Sequence, residues 1–160
     1  MNKLRKNTGR LMACAALAAG SVAAGATAAS ATSANISSWN TDSSPVRCGT
    51  TSPYDFCLYY SPGAEGAVWK STSAAVPNLS GHTFSNDGHG SAGAGQQVRN
   101  NAASAENATE CNVGIWYSTD YSGNSDWLSP GKGGNLSSWL RNNEASIAVD
   151  DSNCPGVGIG

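Results

Sequence analysis

Downstream of an Ala-rich N-terminus, apolar residues come in short bursts separated by turn formers, and helical spacing is poor throughout. Asp55-Phe56-Cys57-Leu58-Tyr59-Tyr60 is dense in aromatic and apolar residues and bounded by turn formers, which predicts a strand. Ser61-Pro62-Gly63 with Glu65-Gly66 predicts a turn, and Ala67-Val68-Trp69-Lys70 a second short strand, so the two form a hairpin. Val113 to Ser118 is a further strand, Thr119 to Asn124 its turn, and Asp126-Trp127-Leu128 the return strand. Asn135 to Leu140 has room for one helical turn. Short strands, frequent turns and 19 glycines in the full chain predict an all-β sandwich or barrel.

The pattern repeats. Phe56 to Ser61 corresponds to Val113 to Ser118, and each is followed by a second motif in the same order. Val98-Arg99-Asn100-Asn101-Ala102-Ala103-Ser104 corresponds to Leu140-Arg141-Asn142-Asn143-Glu144-Ala145-Ser146. Two copies of one β unit, each too small to close a core alone, should pack against one another. The first copy is the longer, because Gly81 to Gly95 is rich in Gly, Ser and Ala and reads as a surface loop.

Composition places this unit outside the cell. Lys3, Arg5, Lys6 and Arg10 precede a short apolar run, Leu11 to Ala19, and small residues mark a cleavage site at Ala26-Thr27-Ala28. That order predicts a secretory signal peptide over 1–28, its apolar run too short to span a bilayer. A flexible leader is expected over 29–46, with Trp39 able to dock on the domain; the folded domain is expected over 47–150 and a tail over 151–160. Without the signal the chain keeps five basic residues against eleven acidic, a net charge of −6, which disfavours nucleic acid as a partner. No membrane association is expected once the signal is removed, and a monomer is the simplest state. Cys48, Cys57, Cys111 and Cys154 remain, an even number in an exported chain, which predicts two disulfides with three connectivities open.

The second repeat carries an aromatic, four residues, an aromatic, one residue and Gly at Trp116, Tyr121 and Gly123; the first keeps Tyr59 and Gly66 but has Ala64 between them. Together with Phe56-Cys57-Leu58-Tyr59-Tyr60 and the Asn-Asn motifs, this resembles the βγ-crystallin-like metalloproteinase inhibitors of actinobacteria over roughly Cys48 to Val149. The resemblance implies a disulfide-braced, two-repeat Greek-key sandwich and a secreted inhibitor, not an enzyme. Such an inhibitor blocks the cleft of an extracellular peptidase, a metalloproteinase above all, with a rigid loop. It also makes Thr109, Glu110, Cys111, Asn112 and Val113 the candidate reactive segment, and favours the pairs Cys48–Cys57 and Cys111–Cys154. The chain departs from the family in lacking a tight local cysteine loop at the start of the second repeat.

Two other readings remain open. Asn100-Asn101 with Ser104, and Asn142-Asn143 with Ser146, match five of the six positions of crystallin-type calcium motifs. Neither has an acid in its first two positions, so any calcium site would be weak, and no cofactor is otherwise expected. The alternative role of the Asn pairs is to set tight turns, since Asn tolerates left-handed φ. This would suit a calcium-binding or stress-structural domain, while clustered aromatics would suit a cell-wall or toxin-like binding module. Catalysis lacks support. His82 and His89 both lie in the Gly81–Gly95 region, Asp150 and Asp151 adjoin the tail, and neither a Gly-x-Ser-x-Gly elbow nor a His-Glu-x-x-His motif is present.

Overall fold

Backbone pairing in the computed structural model follows the repeat. Residues 29–43, 48, 55–71, 73–150, 152 and 154 are described, so the expected signal peptide and most of the tail lie outside the described residues. The leader holds β1 (Ser33–Asn35), β2 (Trp39–Asn40) and a 3-10 turn at Thr41–Ser43. The first repeat comprises β3 (Phe56–Ser61), β4 (Glu65–Ser71), β5 (Ala75–Val76), β6 (Ser85–His89) and β7 (Ser104–Asn107). The second comprises β8 (Val113–Ser118), β9 (Ser122–Leu128), β10 (Lys132–Asn135) and β11 (Ser146–Val149).

One sheet runs β2-β10-β7-β3-β4-β6 and the other β1-β9-β8-β11-β5. In each repeat the hairpin (β3–β4 or β8–β9) is flanked by the repeat's last strand, β7 on β3 and β11 on β8. The intervening strand crosses to the opposite sheet: β5 pairs with β11, and β10 with β7. This is a Greek key whose third strand is exchanged between repeats, so neither repeat completes a sheet without the other. The all-β, two-repeat Greek-key sandwich is therefore the observed architecture. Between the sheets lies one apolar core that includes Phe56, Leu58, Val98, Ile115, Leu128, Leu140 and Ile147, all essentially excluded from solvent.

The two hairpins are built alike. Register shifts fall between Tyr59 and Ser61 in one and between Trp116 and Ser118 in the other. The tips are left-handed at Gly63 and Ala64 and at Asp120 and Tyr121, followed by left-handed Gly66 and Gly123. Ala64 and Tyr121 hold a backbone conformation that costs non-glycine residues energy, so something must fix it. Ser104 supplies the fixture in the first repeat: its Oγ donates to the Ser61 carbonyl (2.6 Å) and accepts from the Ala64 amide (3.0 Å). Ser146 does the same in the second, donating to the Ser118 carbonyl (2.7 Å) and accepting from the Tyr121 amide (3.1 Å).

Several expectations need adjustment. Residues 29–43, expected within a flexible leader, lie on the sandwich. β1 pairs in parallel with β9, and β2 pairs with β10. The polar composition hid this because backbone ladders, not side-chain burial, hold most of the segment. The return strand of the second hairpin begins at Ser122, ahead of Asp126. The anticipated helical turn is a single turn closed by the Arg141 amide on the Ser137 carbonyl (2.9 Å).

Candidate functional site

The Asn-Asn motifs meet across the molecule. Asn100 and Asn142 are left-handed (φ 64° and 60°), the turn geometry that Asn tolerates best. The Asn100 amide donates to the Glu144 carbonyl and the Asn142 amide to the Ala102 carbonyl, so each motif closes on the other. Asn101 Nδ2 donates to the Gln97 and Arg99 carbonyls, and Asn143 Nδ2 to the Arg141 carbonyl. With Ser104 and Ser146 committed to the hairpins, every position of the two candidate calcium motifs has a role in the turns or in holding the repeats together. Asn100 and Asn143 nevertheless come together, with Arg99 and Tyr117 to Thr119, around a polar groove of about 380 Å³. Arg99 and the lack of a carboxylate in that lining make it a poor cation cradle, because calcium affinity rises with ligand charge.

One of the differences between the motifs carries an unusual group. Where the first repeat has Ala102, the second has Glu144, which is fully buried. Its Oε1 accepts from the Asn101 and Ala102 amides at 2.9 Å, while its Oε2 has no hydrogen-bond partner among the described residues. Burial pushes its carboxyl up to about 7, against the opposing pull of the backbone amides. Asp126 is also buried, and desolvation raises its pKa although the Ser137 amide bonds its Oδ2 at 2.7 Å.

A third buried acid, Glu106, explains how the leader is held. Its Oε1 accepts from the Trp39 indole and its Oε2 from the Tyr59 hydroxyl, both at 2.8 Å. Burial, and then the adjacent carboxylate, push the Tyr59 phenol well above its usual range. Trp39 and Ala108 pack on a small second core of Cys48, Cys57, Tyr59, Ala64 and Val68, on the outer face of the β3–β4 hairpin. The Cys48–Cys57 disulfide closes that face. Among the described residues, no such apolar cluster covers the corresponding face of the second repeat. There Trp116 stacks edge-on against Tyr121 and Trp127, with ring centroids 5.5 and 5.3 Å apart, and all three rings are half-buried.

The candidate reactive segment, Thr109 to Val113, forms a bend that is bonded from within. Asn107, itself buried, donates from Nδ2 to the carbonyls of Cys111, Leu128 and Ser129 and accepts at Oδ1 from the Thr109 amide and hydroxyl. Cys111 pairs with Cys154, anchoring the start of the tail. Thr109, Cys111 and Val113 are buried, Asn112 is half-buried, and Glu110 alone is exposed. The geometry thus brings these residues together as a brace with one outward side chain.

The stretch richest in exposed residues within the described domain is elsewhere, over β6 and the bend after it: 85–87, 89–92 and 94–97 are all exposed. The sequence reads Gly81 to Gly95 as a surface loop. Its composition of Ser, Asn, Asp, Gly and Ala hid a strand that pairs with β4 and occupies the edge of its sheet.

Comparison with known proteins finds the peptidase inhibitor family I36 over residues 41–128. No curated protein matches. Among solved structures, one described as "Evolution of the eye lens beta-gamma-crystallin domain fold" is similar at 18% identity and a TM-score of 0.47, over 64% of this chain and 90% of that one. The N-terminal domain of protein S is similar at 13% identity and a TM-score of 0.44, over 59% of this chain and 93% of that one.

Proposed function

The chain belongs to peptidase inhibitor family I36, and from that membership we propose that it is a secreted inhibitor of extracellular peptidases, metalloproteinases first among them, which acts by lodging a rigid surface segment in the active-site cleft. The observation that carries the reading is the family match itself, which spans the first hairpin, the bend at Thr109 to Val113 and the second hairpin. The physical design supports it. A segment already fixed by its frame loses little further freedom on binding, so more of the contact energy appears as affinity. Two disulfides and the exchange of strands between repeats supply such a frame. The protein acts by binding, without chemistry of its own. Disulfide bonding and the acidic balance of the chain without its signal suit an extracellular peptidase partner and no nucleic acid.

The test is residual activity of a thermolysin-like metalloproteinase, and of a subtilisin-like serine peptidase for comparison, titrated with the oxidised protein. The expected result is stoichiometric loss of metalloproteinase activity that is relieved when the disulfides are reduced. Full activity of both enzymes beside a folded, uncleaved chain would refute the reading.

A further inference from the structure

An inhibitor that fills a cleft needs a segment that is exposed, narrow and held on both sides. The bend at Thr109 to Val113 offers Glu110 alone as an exposed side chain. Ser85 to Gly95 meets all three requirements. Ser85, Asn86, Asp87 and His89 through Ala92 are exposed along the edge of the six-stranded sheet, as are Ala94 and Gly95. An edge strand presents backbone groups to whatever extended chain or cleft wall lies beside it. Apart from His89, the side chains here are no larger than Asn or Asp, which keeps the profile thin.

The same segment is tethered at its base, middle and end. At the base, Phe84 is buried against Tyr60, with ring centroids 5.9 Å apart, and Val98 is fully buried. Between them the Phe84 amide donates to the Gln96 carbonyl, and the Gly95 amide to the Phe84 carbonyl, each at 2.9 Å. Ser85 Oγ bonds the Val68 carbonyl (3.0 Å), and His89 Nδ1 meets Glu65 Oε2 at 2.8 Å. Beyond the strand, the Ala67 amide donates to the Ala92 carbonyl (2.8 Å), and Gly93 lies so close to the Tyr60 ring that a Cβ there would collide with it. Gly90, Gly93 and Gly95 are all left-handed, a course that a bound substrate strand, extended through the scissile bond, does not follow. The chain is therefore exposed like a substrate but braced against the straightening that cleavage requires.

We propose that Ser85–Gly95, and not Thr109–Val113, is the segment that enters the peptidase cleft. This rests on the peptidase-inhibitor reading above and deepens it by assigning its contact surface. Asn86 and Ser91 are exposed, and their side chains form no hydrogen bond with the described residues, so a long cationic side chain at either position alters the contact and not the fold. Asn86→Arg and Ser91→Arg should each raise the inhibition constant against a thermolysin-like metalloproteinase at least tenfold while leaving the melting temperature unchanged. Gly93→Ala adds the Cβ that collides with Tyr60 and lifts the segment from its frame. It should turn the inhibitor into a substrate, cut within residues 85–97 as read by mass spectrometry, while the unaltered chain stays intact. Inhibition by the unaltered chain that survives both arginine variants, or that is lost to Glu110→Arg instead, would overturn this assignment alone. Failure of the unaltered chain to inhibit would remove the peptidase reading, and this assignment with it.

Discussion

Glu144 makes the stability of the protein depend on pH in an unusual direction. Its carboxyl is raised from 4.5 to about 7 because burial penalises the charged form more than the Asn101 and Ala102 amides stabilise it. Between those two values the folded chain holds a proton that the unfolded chain has released, so stability falls as pH rises through that window and is constant above it. Each pKa unit is worth about 1.4 kcal/mol, so the loss from pH 4 to pH 8 amounts to about 3 kcal/mol from this group. Glu144→Gln keeps an oxygen to accept the two amides and cannot ionise. Asp126, whose pKa is also raised, contributes in the same direction to both proteins and cancels in the comparison. Urea unfolding of both proteins at pH 4, 5, 6, 7 and 8 should show the variant gaining on the parent by about 3 kcal/mol across the series, most of it below pH 7. Curves that stay parallel within about 0.5 kcal/mol would show that Glu144 is not held neutral by its burial.

Three further outcomes follow from named contacts. Trp39→Ala removes the indole that bonds Glu106 and covers the second small core, and should cost about 3 kcal/mol in urea unfolding while exposing residues 29–43 to limited proteolysis. Ser104→Ala and Ser146→Ala each strip a hairpin tip of its donor and acceptor, and calorimetry should show each losing about 1–3 kcal/mol by the same mechanism. Replacing Cys111 and Cys154 by Ser should destabilise more than replacing Cys48 and Cys57, because sequence separations of 43 and 9 correspond to about 4 and about 2.6 kcal/mol of chain entropy.

The sequence showed what repetition and apolar bursts can carry. Both hairpins were legible because Phe56 to Tyr60 and Val113 to Tyr117 concentrate aromatic and branched residues, and the doubled motif placed the two units in one architecture. The partner strands were not legible. Ser104-Ala105-Glu106-Asn107 is buried throughout, yet three of its four residues are polar, and they are satisfied by Ser61 and Ala64, by Trp39 and Tyr59, and by Thr109 and the carbonyls around Asn107. The leader strands and β6 were hidden for a related reason: ladders with a sheet edge hold them, and propensity says nothing about an edge that is available. The Asn-Asn motifs were visible, and the turn role weighed for them is the one their left-handed φ values express. The bend at Thr109 to Val113 is singled out in the sequence by its resemblance to the family, and its internal bonding is not visible there. Its burial depends on Asn107 joining the nearby Cys111 carbonyl to those of Leu128 and Ser129 on the return strand, which no local pattern records.

The claim that this chain blocks a peptidase cleft is tested most directly by calorimetric titration of a thermolysin-like metalloproteinase, once with its cleft open and once with it filled by a small active-site inhibitor. The account predicts a one-to-one complex with the open enzyme and no binding to the filled one. Equal binding to both would place the contact outside the cleft and contradict it.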